Sequence, residues 1–234
     1  MAVADALAYI RDRMAAACER SGRKPEDVRL MGVSKFHSRE RVEEAWNAGI
    51  TLFGENRVQE ASEKFAGSAS FAGSHPGAEL HLIGSLQRNK AKAVVSLFDC
   101  VESVDRDELI VSLGKLSVVR DIPLSILFEL NSGEASKSGY PDEDSLFRAA
   151  ETALAFPSLR IRGLMTMAPF TDDTALIRRA FRALVKVRDR LQSGFPECDW
   201  SCLSMGMSGD YEIAIEEGST LIRIGTAIFG ERMP

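Results

Sequence analysis

Short apolar runs alternate with amphipathic stretches from one end of this sequence to the other, and that alternation restricts the fold more than any motif does. The runs fall at residues 28–35, 51–53, 80–83, 99–103, 123–130, 159–166, 201–205 and 220–225. Helical patterns separate them: from an N-cap at Ser38 to Gly49, Asn56 to Ala66, Asn89 to Leu97, and from an Asp105/Glu108 capping box to Val119. Three more follow, from Pro141 to Pro157, over 173–192, and over 210–217. One further helix stands in front, with Val3, Leu7, Ile10, Met14 and Ala17 on a single stripe. Such alternation calls for parallel βαβ units, and eight right-handed units favour closure. The expected fold class is α/β: a single (β/α)8 barrel of the TIM type over residues 1–234, with one extra N-terminal helix. The alternative, an open doubly wound sheet, wants a Gly-rich phosphate loop after the first strand, and Val33-Ser34-Lys35-Phe36-His37 is not one. Residues 67–78, rich in Gly, Ser and Pro, read as an exposed loop.

Bulk properties narrow the function. The net charge of -5 argues against a nucleic-acid binder, which normally shows a basic face. No apolar stretch approaches the length of a bilayer span, and Asp5, Arg11 and Asp12 interrupt any signal-peptide core. Cys18, Cys100, Cys198 and Cys202 lack disulfide-framework spacing, which points to reduced thiols in the cytoplasm. No metal-ligand spacing links these cysteines to the three histidines, so no metal is expected. No exposed apolar stripe stands out, and a monomer is the expectation.

In a barrel of this kind, functional groups sit at the C-terminal ends of the strands. Those ends carry Lys35, Glu55-Asn56, Gly84-Ser85, Ser103, Asn131, Thr166, Ser204-Met205-Gly206 and Gly225-Thr226, whereas the opposite rim shows no comparable set. Lys35 reads either as a Schiff-base lysine or as a strand-end lysine reaching for solvent. It shares strand parity with Met31 and Val33, which would turn it inward. Arg223 shares parity with Leu221 and Gly225, so an inward guanidinium needs an acceptor, either a ligand or a carboxylate. Ser204-Met205-Gly206 and Gly225-Thr226 lie after strands seven and eight, where barrels often bind phosphate on backbone amides and hydroxyls. His81 reads as a packed strand residue with one hydrogen bond, and His37 and His75 as surface groups.

Several segments occur together in one order: Gly32-Val33-Ser34-Lys35, Phe53-Gly54-Glu55-Asn56, and His81-Leu82-Ile83-Gly84-Ser85-Leu86-Gln87-Arg88-Asn89-Lys90. Ser136-Lys137-Ser138-Gly139, Arg162-Gly163-Leu164-Met165, Leu203-Ser204-Met205-Gly206-Met207-Ser208 and Arg223-Ile224-Gly225-Thr226 complete the set. This set resembles the pyridoxal 5′-phosphate homeostasis protein family along essentially the whole chain. The resemblance implies a barrel similar to the N-terminal domain of alanine racemase, with pyridoxal 5′-phosphate held as an aldimine on Lys35. It implies Ser204, the Met205 backbone, Gly225 and Thr226 around the phosphate, Arg223 at the pyridine nitrogen, and Asn56 near the ring. An arginine there disfavours a protonated ring and weakens it as an electron sink. The implied role is a non-catalytic holder of the cofactor serving vitamin B6 and amino-acid homeostasis, with apo enzymes as recipients. The alternatives are an amino-acid racemase or decarboxylase, and a Schiff-base aldolase. His37, Arg57 and Leu80 depart from residues common in relatives.

Overall fold

The protein is described by a computed structural model covering residues 2–65, 71–133 and 138–230. Eight strands lie in it: β1 (Arg29–Val33), β2 (Leu52–Glu55), β3 (Glu79–Leu82), β4 (Cys100–Val104), β5 (Leu124–Glu129), β6 (Leu159–Met165), β7 (Cys202–Ser204) and β8 (Leu221–Ile224). All neighbours are parallel and follow chain order, and β8 returns to β1, so the sheet is a closed barrel. The open-sheet alternative is thereby excluded. The closing register sets Arg29 opposite Leu221, Met31 opposite Arg223 and Gly32 opposite Ile224.

Helices fill the connections: α1 (Val3–Arg20), α2 (Arg39–Asn47), α3 (Val58–Phe65), α4 (Phe71–Ser74), α5 (Ala91–Leu97), α6 (Asp107–Leu116), α7 (Glu143–Leu154), α8 (Thr174–Gly194), α9 (Tyr211–Glu216) and α10 (Thr226–Phe229). α1 is the extra N-terminal helix, and its stripe of Val3, Leu7, Ile10, Met14 and Ala17 is buried as its periodicity requires. Strand alternation divides the apolar residues into two layers. Phe53, Val101, Ile126, Phe128, Leu203, Ile222 and Ile224 face outward and pack with the helices in one large cluster. Met31, Val33, Leu52 and Leu221 form a separate inner cluster, and Cys100, Leu127 and Met165 another. Gly163 shows how closely the strands approach: a Cβ there would lie 1.9 Å from the Cys202 carbonyl oxygen.

Several local expectations are corrected. The segment 71–78 is exposed only in part: Gly73, Ser74, Pro76 and Gly77 face solvent, but residues 71–74 form α4 and Phe71 and His75 are buried. Phe71 is 2% exposed, and His75 stacks on it with ring centroids 3.8 Å apart while its Nε2 meets Glu43 at 2.6 Å. Composition alone read this segment as loop because its Gly, Ser and Pro content hides two ring systems that dock against Trp46 and Phe53. Residues 66–70, the rest of that region, lie outside the described residues. The expected Asp105/Glu108 box is also absent: Arg106 is the N-cap of α6 with no side-chain capping bond, and Asp105 pairs with Arg106 instead. α7 starts two residues after Pro141, on a capping box formed by Asp142 and Ser145. All four cysteines are free thiols. No helix among the described residues is long and apolar enough to cross a membrane.

Phe71→Ala is expected to lower stability by about 3 kcal/mol in urea unfolding, the usual cost of emptying a buried phenylalanine site. A loss under about 0.5 kcal/mol, as at a surface position, would contradict this packing.

Candidate functional site

β1 ends at Val33, two residues before Lys35, so strand parity does not carry to the lysine. Lys35 and Phe36 instead occupy the middle of a turn closed by the His37 amide on the Ser34 carbonyl at 3.1 Å. Phe36 has φ of 67°, a left-handed conformation that a bulky residue rarely adopts. Two contacts hold the turn in this state. The Phe36 amide donates to the Glu60 carboxylate. Beneath it, the buried Lys64 ammonium donates to the Ser34 carbonyl at 2.6 Å and meets Glu55 at 2.7 Å and Glu60 at 2.8 Å. Strain that is actively held beside a reactive residue type points to function. Glu55 lies wholly buried on the outer side of the barrel, and burial pushes its carboxyl up against the opposing pull of Lys64.

Barrel closure brings the far end of the chain to this turn. A Cβ built on Gly225 would lie 3.3 Å from the Val33 carbonyl oxygen, so glycine is what permits the close approach. Gly225 is also the N-cap residue of α10, a single turn that starts at Thr226 and was not expected from the sequence. Asn56 follows β2 directly and precedes α3, contrary to the expectation that it begins the helix. The backbone of Asn56 is packed against Gly84, where a Cβ would stand 2.3 Å from the Asn56 carbonyl oxygen. Ser103 donates to the Gly84 carbonyl at 2.6 Å and ties a third strand end to the same rim.

Arg223 is the inward, buried cation of β8, 4% exposed. Its Nη1 donates to the Ser204 carbonyl at 2.7 Å and hydroxyl at 2.6 Å, and its Nη2 to the Thr166 carbonyl at 2.9 Å. It makes no direct ion pair and no hydrogen bond from Nε among the described residues. The Ser204 hydroxyl in turn donates to Glu102. The Met205 amide is spent on the Leu221 carbonyl at 3.1 Å, and its side chain is buried in the outer layer. Lys35, Asn56, Ser204, Arg223, Gly225 and Thr226 thus converge on the C-terminal mouth. Ser136 and Lys137 lie outside the described residues.

Two features escaped sequence reasoning. Glu102 lies inside the barrel, wholly buried, and accepts from His81 Nδ1 at 2.7 Å. Its parity with Cys100 in an apolar run was the available signal. Burial opposes both charges. Even so, hydrogen bonding to Glu102 and Glu79 lifts His81 above its ordinary value, and His81 with Arg223 and Ser204 holds Glu102 low. The opposite mouth is not bare either: a cavity of about 680 Å³ there is lined by Arg23, Arg29, Glu79, His81 and Arg162 among others. Sequence reading missed it because these groups come from strands and connections far apart in the chain.

Residues 6–233 match the family described as the alanine racemase N-terminal domain. A pyridoxal phosphate homeostasis protein of Vibrio cholerae serotype O1 is 42% identical over 229 residues, covering 97% of this chain and 94% of its own length. One from Aquifex aeolicus is 36% identical over 232 residues, 99% of each chain. The chain belongs to the pyridoxal phosphate homeostasis protein family. Among solved structures, PipY of Synechococcus elongatus PCC7942, determined with pyridoxal phosphate bound, superposes with a TM-score of 0.84 at 33% identity. That comparison covers 97% of this chain and all of PipY.

The His81–Glu102 pair gives a pH signature. His81 has its folded value raised above 6.5, so its contribution is complete below that value and is lost as pH rises through the raised one. Glu102 is held below 4.5, so its contribution is present above that value and fades as pH falls through the lowered one. The stability gap between wild type and His81→Gln is expected to be widest near about pH 6 and to shrink toward about pH 9 in urea titrations. A gap that grows with pH would reverse the assignment.

Proposed function

We propose that this chain binds pyridoxal 5′-phosphate at the C-terminal mouth through Lys35 and serves cofactor homeostasis without turning over a substrate. The observation that carries the reading is the close approach of Gly225 to Val33, immediately before the Ser34–His37 turn, joined to the naming of the relatives. The residues fit the cofactor. Thr226 opens a helical turn capped by Gly225, whose Thr226 and Ala227 amides have no intrahelical partner among the described residues, and Arg223 keeps Nε uncommitted among those residues. Bound there, the cofactor would supply a reactive aldehyde, and Lys35 would hold it through its amine. In this reading Gly225 and Thr226 hold the phosphate, Asn56 lies beside the ring, and Arg223 faces the pyridine nitrogen. Ser204 and Met205 would border the phosphate with the Ser204 hydroxyl already engaged with Arg223 and Glu102 and the Met205 amide with Leu221.

The absence of turnover is argued from Arg223. A guanidinium does not give up its proton at ordinary pH, so it donates to the ring nitrogen and does not protonate it. That leaves the ring a poor electron sink for carbanion chemistry. We place the whole binding unit in the one barrel, with apo enzymes that use the cofactor as recipients and the cytoplasm as the compartment.

Mixing the purified chain with pyridoxal phosphate should give a visible absorbance band, and borohydride should fix one adduct on Lys35 by mass. Lys35→Ala should abolish both, and an unchanged band would exclude Lys35. A second expectation separates holder from racemase. Common amino acids incubated with the loaded protein in deuterium oxide should exchange their α-hydrogen no faster than with free cofactor, and a Lys35-dependent acceleration above tenfold would make the protein an enzyme.

A further inference from the structure

Four side chains from four strands form one hydrogen-bonded line inside the barrel: His81 of β3, Glu102 of β4, Ser204 of β7 and Arg223 of β8. The donors run in one sense. Arg223 gives a hydrogen to the Ser204 hydroxyl, Ser204 gives its own to Glu102, and His81 Nδ1 gives one to the other Glu102 oxygen. The Glu102 carboxylate lies between the Arg223 end and the His81 end of the line. The hydroxyl of Ser204 has a single hydrogen, so Glu102 dictates which way it points.

The line answers a cost that the fold imposes. Taking a guanidinium out of water costs several kcal/mol unless a countercharge and hydrogen bonds replace the solvent. The direct acceptors of Arg223 are two carbonyls and one hydroxyl, all neutral. Glu102 leads the carboxylates that act on it through space, followed by Asp210 and Glu129. Glu129 also accepts from Ser138 at 3.0 Å, and Asp210 from the Met207 amide at 2.6 Å, so both have other work. Among the described residues, the Glu102 carboxylate has only His81 and Ser204 as hydrogen-bond partners. His81 lines the cavity at the opposite mouth, which places it on the far side of Glu102 from the cofactor end.

We propose that Glu102, acting through Ser204 and held by His81, is the positioning residue that fixes the Arg223 guanidinium at the cofactor mouth. The fixing of the guanidinium stands on the interior geometry alone, and only its consequence for the ring rests on the proposed function.

The test has one arm for each. In cofactor-free protein, the guanidinium hydrogens of Arg223, followed by nitrogen-15 NMR, should exchange with solvent at least tenfold faster in Glu102→Gln and in Ser204→Ala. The double variant should add little, since both break the same line. Glu129→Gln should change the rate less than threefold, and retained far-UV circular dichroism identifies the variants that still fold. If both single variants keep exchange within twofold of wild type, the proposal is overturned; should Glu102→Gln not fold, Ser204→Ala and His81→Gln decide in the same way. In loaded protein, Glu102→Gln should weaken pyridoxal phosphate binding at least tenfold and shift the absorbance maximum of the Lys35-dependent band. An exchange response in a chain that never shows that band refutes the cofactor reading and leaves the positioning role intact. An unaltered band and affinity in Glu102→Gln, with wild type loading normally, refutes the effect on the ring.

Discussion

Everything functional in this molecule depends on the pairing of β8 with β1. That ladder joins residues nearly two hundred positions apart, and four residue pairs carry it, from Arg29–Leu221 to Gly32–Ile224. It closes the sheet, which removes both edges and makes an inside. The same pairing sets Gly225 against Val33, next to the lysine turn. A one-residue slip would exchange the inner and outer sets of β8, turning Arg223 out among the helices and Ile222 into the polar interior.

The interior then needs its own charge balance. A barrel of apolar side chains would have been simpler to fill, yet β3, β4, β7 and β8 each contribute a polar group at adjoining levels. Buried charge of this kind adds little to stability compared with an apolar core, and its benefit is a fixed geometry. Here the group held in place is a guanidinium whose Nε has no hydrogen-bond partner among the described residues. On the outer side, Lys64 and the carboxylates of Glu55 and Glu60 do the corresponding work for the lysine turn, holding Phe36 at a positive φ. Both devices hold a cation-bearing residue from behind, one inside the sheet and one outside.

Legibility in the sequence varied with the range of the interaction. Strand and helix order came through because period-2 and period-3.6 patterns are local, and α1 matched its stripe residue for residue. Chain order also placed Lys35, Asn56, Arg223, Gly225 and Thr226 at strand ends, where a barrel gathers them. Local composition misled at Phe71 and His75, where aromatic docking against α2 overrides a Gly- and Ser-rich surrounding. It misled again at Asp105, whose partner Arg106 outcompetes the expected cap. Parity misled at Lys35, because the strand stops at Val33 and a turn takes over.

By itself, then, the sequence determined the parallel eight-unit order, the rim on which polar residues gather, and the family to which the motifs belong. The tertiary structure alone decided which groups share hydrogens: Ser204 with Glu102 and Arg223, Lys64 with Glu55 and Glu60, His81 with Glu102. The physical reason is that hydrogen-bond partners across a barrel are fixed by register and shear between strands far apart in the chain. Periodicity reveals which face a residue occupies, and only closure of the sheet determines what it meets there.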